Sequence, residues 1–289
     1  MKHQKINNCP SCDSSELLLH VQTKDHYFSN EAFDIIRCSN CQLGITNPQP
    51  DKDHIGEYYD SENYISHGTK KQGLFERLYK FAQTLNFRDK LSLIRSLSSS
   101  PKLLDYGAGN GSFVNSLIKK GVVAEGVEPN AQARENALVQ FGLKLHSDIP
   151  EKKFDIITMW HVLEHIHDLK NTLKNILDHL NPNGHLLIAV PNYESKDAKH
   201  YGSYWAAYDV PRHLWHFNET SISLLMGELG AEYISKRPMK LDAFYVSILS
   251  ERFKKKNAFF ALLRGLCSNL MAGKNTPYSS QTYVFKKHA

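Results

Sequence analysis

The stretch Leu103-Leu104-Asp105-Tyr106-Gly107-Ala108-Gly109-Asn110-Gly111-Ser112 decides the fold. A short apolar run that reads as a strand, Lys102–Tyr106, passes into a glycine turn and then into a helical pattern over Ser112–Lys120. Glycines in that setting let the backbone approach a ligand where a Cβ would collide with it. Their spacing is Gly-x-Gly-x-Gly. Position 112 is Ser, so the dinucleotide fingerprint Gly-x-Gly-x-x-Gly is not met, and a pyrophosphate on the helix N-terminus is not the favoured ligand. Seventeen positions past Gly111, closing the next strand candidate (Val122–Glu128), stands Glu128. A carboxylate there can accept both hydroxyls of a ribose. The plainer alternative, a tight β–α turn with no ligand, leaves the placement of Asp105 and Glu128 without a reason.

Working outward, short apolar runs alternate with helical segments. Further strand candidates are Leu143–His146, Phe154–Trp160 and Gly184–Val190, with helices over Ala131–Phe141 and Leu169–Leu180, the latter ended by Asn181-Pro182-Asn183-Gly184. This alternation predicts βαβ units and a parallel sheet. Beyond it come an aromatic and histidine-rich segment (193–217), a helix near Glu219–Leu229, a basic helical insert around Asp242–Ala272 and a last strand, Gln281–Lys287. Upstream, Leu74, Leu78, Phe81 and Leu85 fall at helical spacing within Leu74–Leu97. The expected organisation is a head at 1–50, a linker and helical cap at 51–100, and a catalytic domain at 101–289 with inserts at about 191–218 and 241–280.

The head is defined by cysteine. Cys9-Pro10-Ser11-Cys12 and Cys38-Ser39-Asn40-Cys41 are two knuckles separated by 25 residues that read as a hairpin, Leu17–Val21 and Phe33–Arg37 around Ser29-Asn30. A two-residue gap lets both thiolates of a knuckle reach one tetrahedral Zn²⁺, so Cys9, Cys12, Cys38 and Cys41 form a closed, structural Cys₄ set; the spacer is longer than usual, and disulfides are the alternative. Cys267, alone in an apolar context, reads as a small core residue.

Composition narrows the class. The 289 residues carry a net charge of +5, with 41% hydrophobic and 22% charged residues. A chain of this size buries about 75% of its unfolded surface, enough for a core without disulfide staples. The mild basicity suits anionic ligands and is too weak to indicate nucleic acid by itself. There is no apolar run of 18 residues, and Met1–Pro10 is polar, so a cytoplasmic setting is expected.

Leu103–Ser112 with Glu128 resembles the class I S-adenosylmethionine (SAM)-dependent methyltransferases. Phe154-Asp155-Ile156-Ile157 and His161-Val162-Leu163-Glu164-His165-Ile166-His167-Asp168 resemble the subfamily that includes ubiquinone-type O-methyltransferases. The Cys₄ head followed by Tyr58-Tyr59 and Tyr64…His67 resembles the N-terminal zinc domain of certain sugar C-methyltransferases. The resemblance implies a doubly wound α/β fold: a mostly parallel, seven-stranded sheet with helices on both faces and a small zinc ribbon in front. It implies that Asp105, Gly107, Gly109 and Gly111 hold the methionyl part of SAM, Glu128 the ribose and Asp148 the adenine amine, and that Trp160 or His161 lines the methyl donor. The acceptor would be a small molecule: a sugar, a quinone or another metabolite.

A hydroxyl or carbon nucleophile needs a base, and histidine suits that work near neutral pH. His161 and His165 after the fourth strand, and Tyr208, His213 and His216 in the following insert, are the candidates, each with a structural hydrogen-bonding role as its alternative. Two other readings compete. His161-Val162-Leu163-Glu164-His165 matches the H-x-x-E-H of inverted zinc peptidases, a metallohydrolase chemistry that needs the motif inside a long helix. A zinc ribbon also suits an RNA-modifying methyltransferase, against which stand the scattered Lys and Arg and the lack of an Asn/Asp-Pro-Pro-aromatic loop after strand four. Arg252-Phe253-Lys254-Lys255-Lys256 ahead of Phe259–Leu263 reads as the solvated end of a packed helix, with contact to a membrane surface as the alternative.

Overall fold

The computed structural model describes residues 3–59, 74–255, 258–272 and 277–288. Tyr64, His67 and Lys256, together with the side chains of Leu74, Leu78, Phe81 and Phe259, lie outside the described residues.

Five strands come first: β1 (His3–Gln4), β2 (Leu17–Lys24), β3 (Ala32–Cys38), β4 (Gly44–Asn47) and β5 (Gln49–Pro50). Helix α1 (Leu74–Leu97) leads into the alternating region of β6 (Lys102–Tyr106), α2 (Ser112–Lys119), β7 (Val123–Val127), α3 (Ala131–Phe141), β8 (Phe154–Trp160), α4 (Leu169–Asp178) and β9 (Leu180–Pro191). Then follow α5 (Lys196–Tyr201), β10 (Trp215–His216), α6 (Glu219–Glu228), β11 (Ala231–Pro238), α7 (Asp242–Phe253), α8 (Ala258–Met271) and β12 (Ser280–Lys287).

The main sheet runs β11-β12-β9-β8-β6-β7, parallel from β7 to β9 and antiparallel from β9 to β11. β8 and β9 are buried on both faces, which is why they read as continuous apolar runs rather than as alternation. The covering helices supply matching stripes: α4 buries Leu169, Leu173, Ile176 and Leu177, and α2 buries Phe113, Val114 and Leu117. From β6 the chain steps to β7 on one side and to β8 on the other. The glycine turn therefore sits at the point where strand order reverses, outside the carboxyl ends of the strands, where a crevice opens in such sheets.

The main sheet has six strands among the described residues, not the seven expected. The segment Leu143–His146 makes only a single bridge, His146 to Val127. Its two leucines are used for packing: Leu143 lies over Gly111 and Leu145 over Gly126, where a Cβ on either glycine would come within 3 Å of a leucine methyl. β9 begins at Leu180 and runs through Asn181–Gly184, so α4 ends at Asp178. β11, half-exposed and polar, carries no strong strand signal.

The head hairpin, β2 with β3, extends to a four-stranded sheet, β10-β4-β3-β2. Its outer member β10 comes from the segment after the main parallel strands, pairing Trp215 with Ile45 and His216 with Gly44. One apolar cluster joins Cys9, Cys38, Cys41, Leu43 and Ile45 of the head to Leu163, Leu214, Trp215 and Phe217. The head thus shares its core with the strap between β9 and α6.

Candidate active site

The three glycines of the turn do different things. A Cβ on Gly107 would lie 2.5 Å from Val162, and one on Gly111 2.9 Å from Leu143, so these two are glycine because protein packs on them. Gly109, at φ +55°, faces open space. Its amide donates to Glu128 Oε2 at 2.8 Å, and the Asn130 amide donates to Glu128 Oε1 at 2.9 Å. The acid after β7 is thus turned toward the one open glycine, and the pair makes a cradle with a carboxylate on its rim. Asp105, 3% exposed, accepts a hydrogen bond from the Thr158 hydroxyl at 2.6 Å. Burial pushes its carboxyl up to about 6, against the pull of Thr158 and Lys90. Asp148 is exposed and meets Ser147.

Trp160 forms the adjoining wall. Its ring stands edge-on to Phe113 at 5.7 Å, and its buried Nε1 has no acceptor among the described residues. Lys90 of α1 places its ammonium 4.1 Å from the Trp160 ring and 5.0 Å from Phe113. Burial lowers Lys90 to about 8, while Asp105 and Asp242 pull it back up. A cavity of about 250 Å³ opens beside them, lined by Asn86, Lys90, Leu93, Trp160, Met239 and Asp242. The Trp160 and Phe113 faces and the carboxylates of Asp105 and Asp242 offer a cation partners there, working against the desolvation that lowers Lys90. An orphaned donor, an open glycine and a ribose-competent acid together fit SAM, whose sulfonium is positive.

The second pole lies past the end of β8. His161 sits at φ +57°, an uncommon conformation for a residue with a Cβ. Its Nε2 pairs with Asp242 Oδ2 at 2.9 Å, its Nδ1 with Glu164 Oε1 at 3.3 Å. Burial works against its charge, but the two carboxylates outweigh it and push His161 up to about 10. An imidazole already protonated at neutral pH does not serve as a base. Leu163–His165 is a single 3₁₀ turn, not part of a long helix, so the H-x-x-E-H segment lacks the helical setting of a peptidase. Glu164 is 1% exposed; burial favours its neutral form, yet the His161 contact keeps it below the usual carboxylate range.

His165 and His213 stand edge to face with ring centroids 4.6 Å apart. Nδ1 of His165 lies 3.0 Å from the Arg212 carbonyl and 3.1 Å from the Tyr59 hydroxyl, and Nδ1 of His213 lies 2.9 Å from the Ala207 carbonyl. Burial, then the neighbouring His165, depresses His213 to about 4. Tyr208 is buried, which raises its hydroxyl, and its oxygen meets His20 of the head at 3.2 Å. His216 is buried beside Thr46, at 2.9 Å, and burial holds it well below the ordinary histidine value. The structure therefore gathers His161, His165 and His213 around Glu164 and leaves Tyr208 and His216 against the head.

Arg212 ties these pieces together. Wholly buried, it meets Asp25 at 2.9 Å and Asp209 at 2.7 Å and donates to the Tyr58 carbonyl. In the head, Cys9 and Cys41 Sγ are 3.4 Å apart, Cys12 and Cys38 Sγ 3.5 Å, and all four sulfurs lie within 4.8 Å of one another. A Zn–S bond of about 2.3 Å puts tetrahedral sulfurs about 3.8 Å apart, so four thiolates here fit one zinc ion. Sequence reasoning missed Lys90, Asp242 and Arg212. Asp105, His161 and Asp25, with which they interact, lie 15, 81 and 187 positions away, and only the Arg212–Asp209 pair, three apart, is local.

A family described as a methyltransferase domain matches residues 76–236, more than half of the chain. The ubiquinone biosynthesis O-methyltransferase of Pectobacterium atrosepticum is 27% identical over 107 residues, 33% of this chain and 44% of that protein. The Yersinia enterocolitica protein of the same name is 25% identical over 147 residues, 47% of this chain and 50% of that protein. The chain thus spans about half the length of the curated relatives it matches. Among solved structures, magnesium protoporphyrin IX methyltransferase from Synechocystis PCC 6803, with bound SAH, has a TM-score of 0.55 at 12% identity, covering 82% of this chain and 100% of that one. Phosphoethanolamine N-methyltransferase 2 of Haemonchus contortus, in complex with S-adenosyl-L-methionine, gives 0.53 at 16% identity, covering 94% and 69%. At these identities the likeness establishes the fold. No helix among the described residues is long and apolar enough to cross a membrane.

Proposed function

This chain belongs to the methyltransferase-domain family, and from that premise we propose that it transfers a methyl group from SAM to an oxygen or carbon of a small-molecule acceptor. The observation that carries the reading is the Gly109–Glu128 cradle: an open glycine at positive φ with the carboxylate after β7 bonded to its amide. Glu128 would exchange that amide for the ribose hydroxyls. Asp105, Gly107, Gly109 and Gly111 would bound the methionyl part, Asp148 the adenine side, and Trp160 the donor wall, its orphaned Nε1 offering a hydrogen bond. When bound, SAM supplies an activated methyl group on a positive sulfur.

What remains for the protein is alignment and exclusion of water, which contribute about 7–11 kcal/mol in well-oriented reactions. The acceptor side would be the Glu164–His165–His213 group, which orients the acceptor hydroxyl by accepting its hydrogen bond and takes up its proton as the oxygen attacks the methyl group. His161, protonated between Asp242 and Glu164, would position Glu164 and not act as a base. A zinc ion on Cys9, Cys12, Cys38 and Cys41 would stiffen the head, and the reducing cytoplasm is the setting that keeps those thiols available. Calorimetry with SAM tests the cofactor site: the wild-type chain should bind and Glu128→Ala should weaken binding by at least about tenfold. Equal affinity in the two would remove Glu128 from the site. Methylation assays with hydroxylated small molecules against tRNA and rRNA test the acceptor class.

A further inference from the structure

Glu164 Oε2 is buried, in a residue only 1% exposed, and has no hydrogen-bond partner among the described residues. A polar oxygen left bare in a protein interior is costly, and native structures seldom tolerate one. The other oxygen is already held by His161. Around this carboxylate stand His165 and His213, and one ligand atom from each of the three residues lies within 4.8 Å of the others.

The hydrogen bonds fix which ring atoms are available. A backbone carbonyl can only accept, so Nδ1 of His165, facing the Arg212 carbonyl, and Nδ1 of His213, facing the Ala207 carbonyl, must each carry the proton. In the neutral ring that leaves a lone pair on each Nε2. His213 Nε2 is 3.9 Å from Asp209, beyond hydrogen-bond reach. Imidazoles whose second nitrogen donates to a backbone carbonyl are the usual arrangement of histidine ligands, because the carbonyl sets both tautomer and ring orientation. Glu164 is held in the same way, by His161 on its far oxygen.

We propose that Glu164, His165 and His213 form a second metal site, separate from the four thiolates, that takes a divalent first-row transition cation. Two nitrogens and one carboxylate oxygen suit Zn²⁺, Mn²⁺, Fe²⁺ or Co²⁺; magnesium and calcium prefer oxygen alone. Metal–nitrogen bonds of about 2.0–2.1 Å put tetrahedral donors about 3.4 Å apart, so donors now within 4.8 Å of one another must close by at most about 1.5 Å, within the reach of side-chain rotation. Three protein ligands leave positions open. The site lies past the carboxyl end of β8, on the side assigned above to the acceptor, so an acceptor oxygen can fill one of them and be made more acidic by the cation. That last role rests on the methyltransferase reading; the metal site does not.

Cobalt titration of the full chain, stripped of metal and kept reduced, tests the proposal. Two equivalents should bind: one with the intense thiolate-to-cobalt charge-transfer band, weakened in Cys9→Ser, and one with ligand-field bands only. Glu164→Gln and His213→Gln should each weaken the second by at least about tenfold and leave the thiolate band intact, which also reports that the head remains folded. His165→Gln, at a partly exposed position, provides a variant with less risk to folding. A single equivalent in the wild-type chain, or a second equivalent unmoved by all three variants, overturns the site. SAM affinity measured on the same samples keeps the two readings apart, since loss of either leaves the other standing.

Discussion

The two poles proposed for the site are built on opposite principles. At the cofactor pole the cradle comes from neighbours in sequence: Gly109 and Glu128 lie within one βαβ unit, and their contact runs through a backbone amide. At the acceptor pole the parts come from everywhere. Glu164 and His165 follow β8, His213 lies in the strap before β10, Tyr59 precedes α1, and Arg212 reaches Asp25 in the head. The first pole is a local motif that any such turn can reproduce. The second exists only once the head, the strap and the sheet have packed together.

The sharpest way to break the comparison is Gly109→Arg. The side chain must enter the open space of the cradle at a φ that disfavours it, and SAM affinity should fall by about 100-fold or more while far-UV circular dichroism is unchanged. Retained affinity would mean the ligand sits elsewhere. Next in size is Arg212→Met. It strands Asp25 without its buried partner and should destabilise the chain by about 3–5 kcal/mol in urea unfolding, with Asp25→Asn recovering part of the loss. If the two poles are independent, SAM affinity per folded molecule should barely change.

Smaller effects sharpen the picture. Asp105 titrates at about 6 because it is buried, and a nearby sulfonium favours its charged form. SAM should therefore bind fully above pH 6 and more weakly as protons fill the carboxyl below it; Asp105→Asn should flatten that limb. Lys90 titrates at about 8 and places a competing cation against Trp160. Affinity should climb a few-fold as pH rises through 8. Lys90→Met should give the higher value at neutral pH and abolish the climb. A wild-type profile flat across pH 8 would mean that Lys90 swings clear of the donor corner. Least of all, Cys9→Ser should lower stability and bound zinc while leaving SAM affinity nearly intact; equal losses would show that the head shapes the cofactor pole too.

This division also explains what was legible in the sequence. The βα alternation, the turn, Glu128 and the two cysteine knuckles are short-range patterns fixed by backbone geometry and ligand spacing, and the structure contains each of them. The seventh strand failed because Leu143 and Leu145 are drawn down onto Gly111 and Gly126, a packing demand that competes with pairing. Alternation of residue types does not reveal that two of the three glycines serve packing. The arrangement of the histidines was beyond reach for a different reason. His161, His165 and His213 are alike in sequence, and only burial and the placement of Asp242, Glu164 and two carbonyls make the first a cation and the third neutral.

The pairing of Trp215–His216 with Gly44–Asn47 has a consequence for biosynthesis. During translation the N-terminal hairpin leaves the ribosome with β4 as a bare outer edge, and the strand that closes it emerges about 170 residues later. For that interval the nascent chain presents an unpaired β-template, and any truncation or premature release before Trp215 would leave it exposed for good.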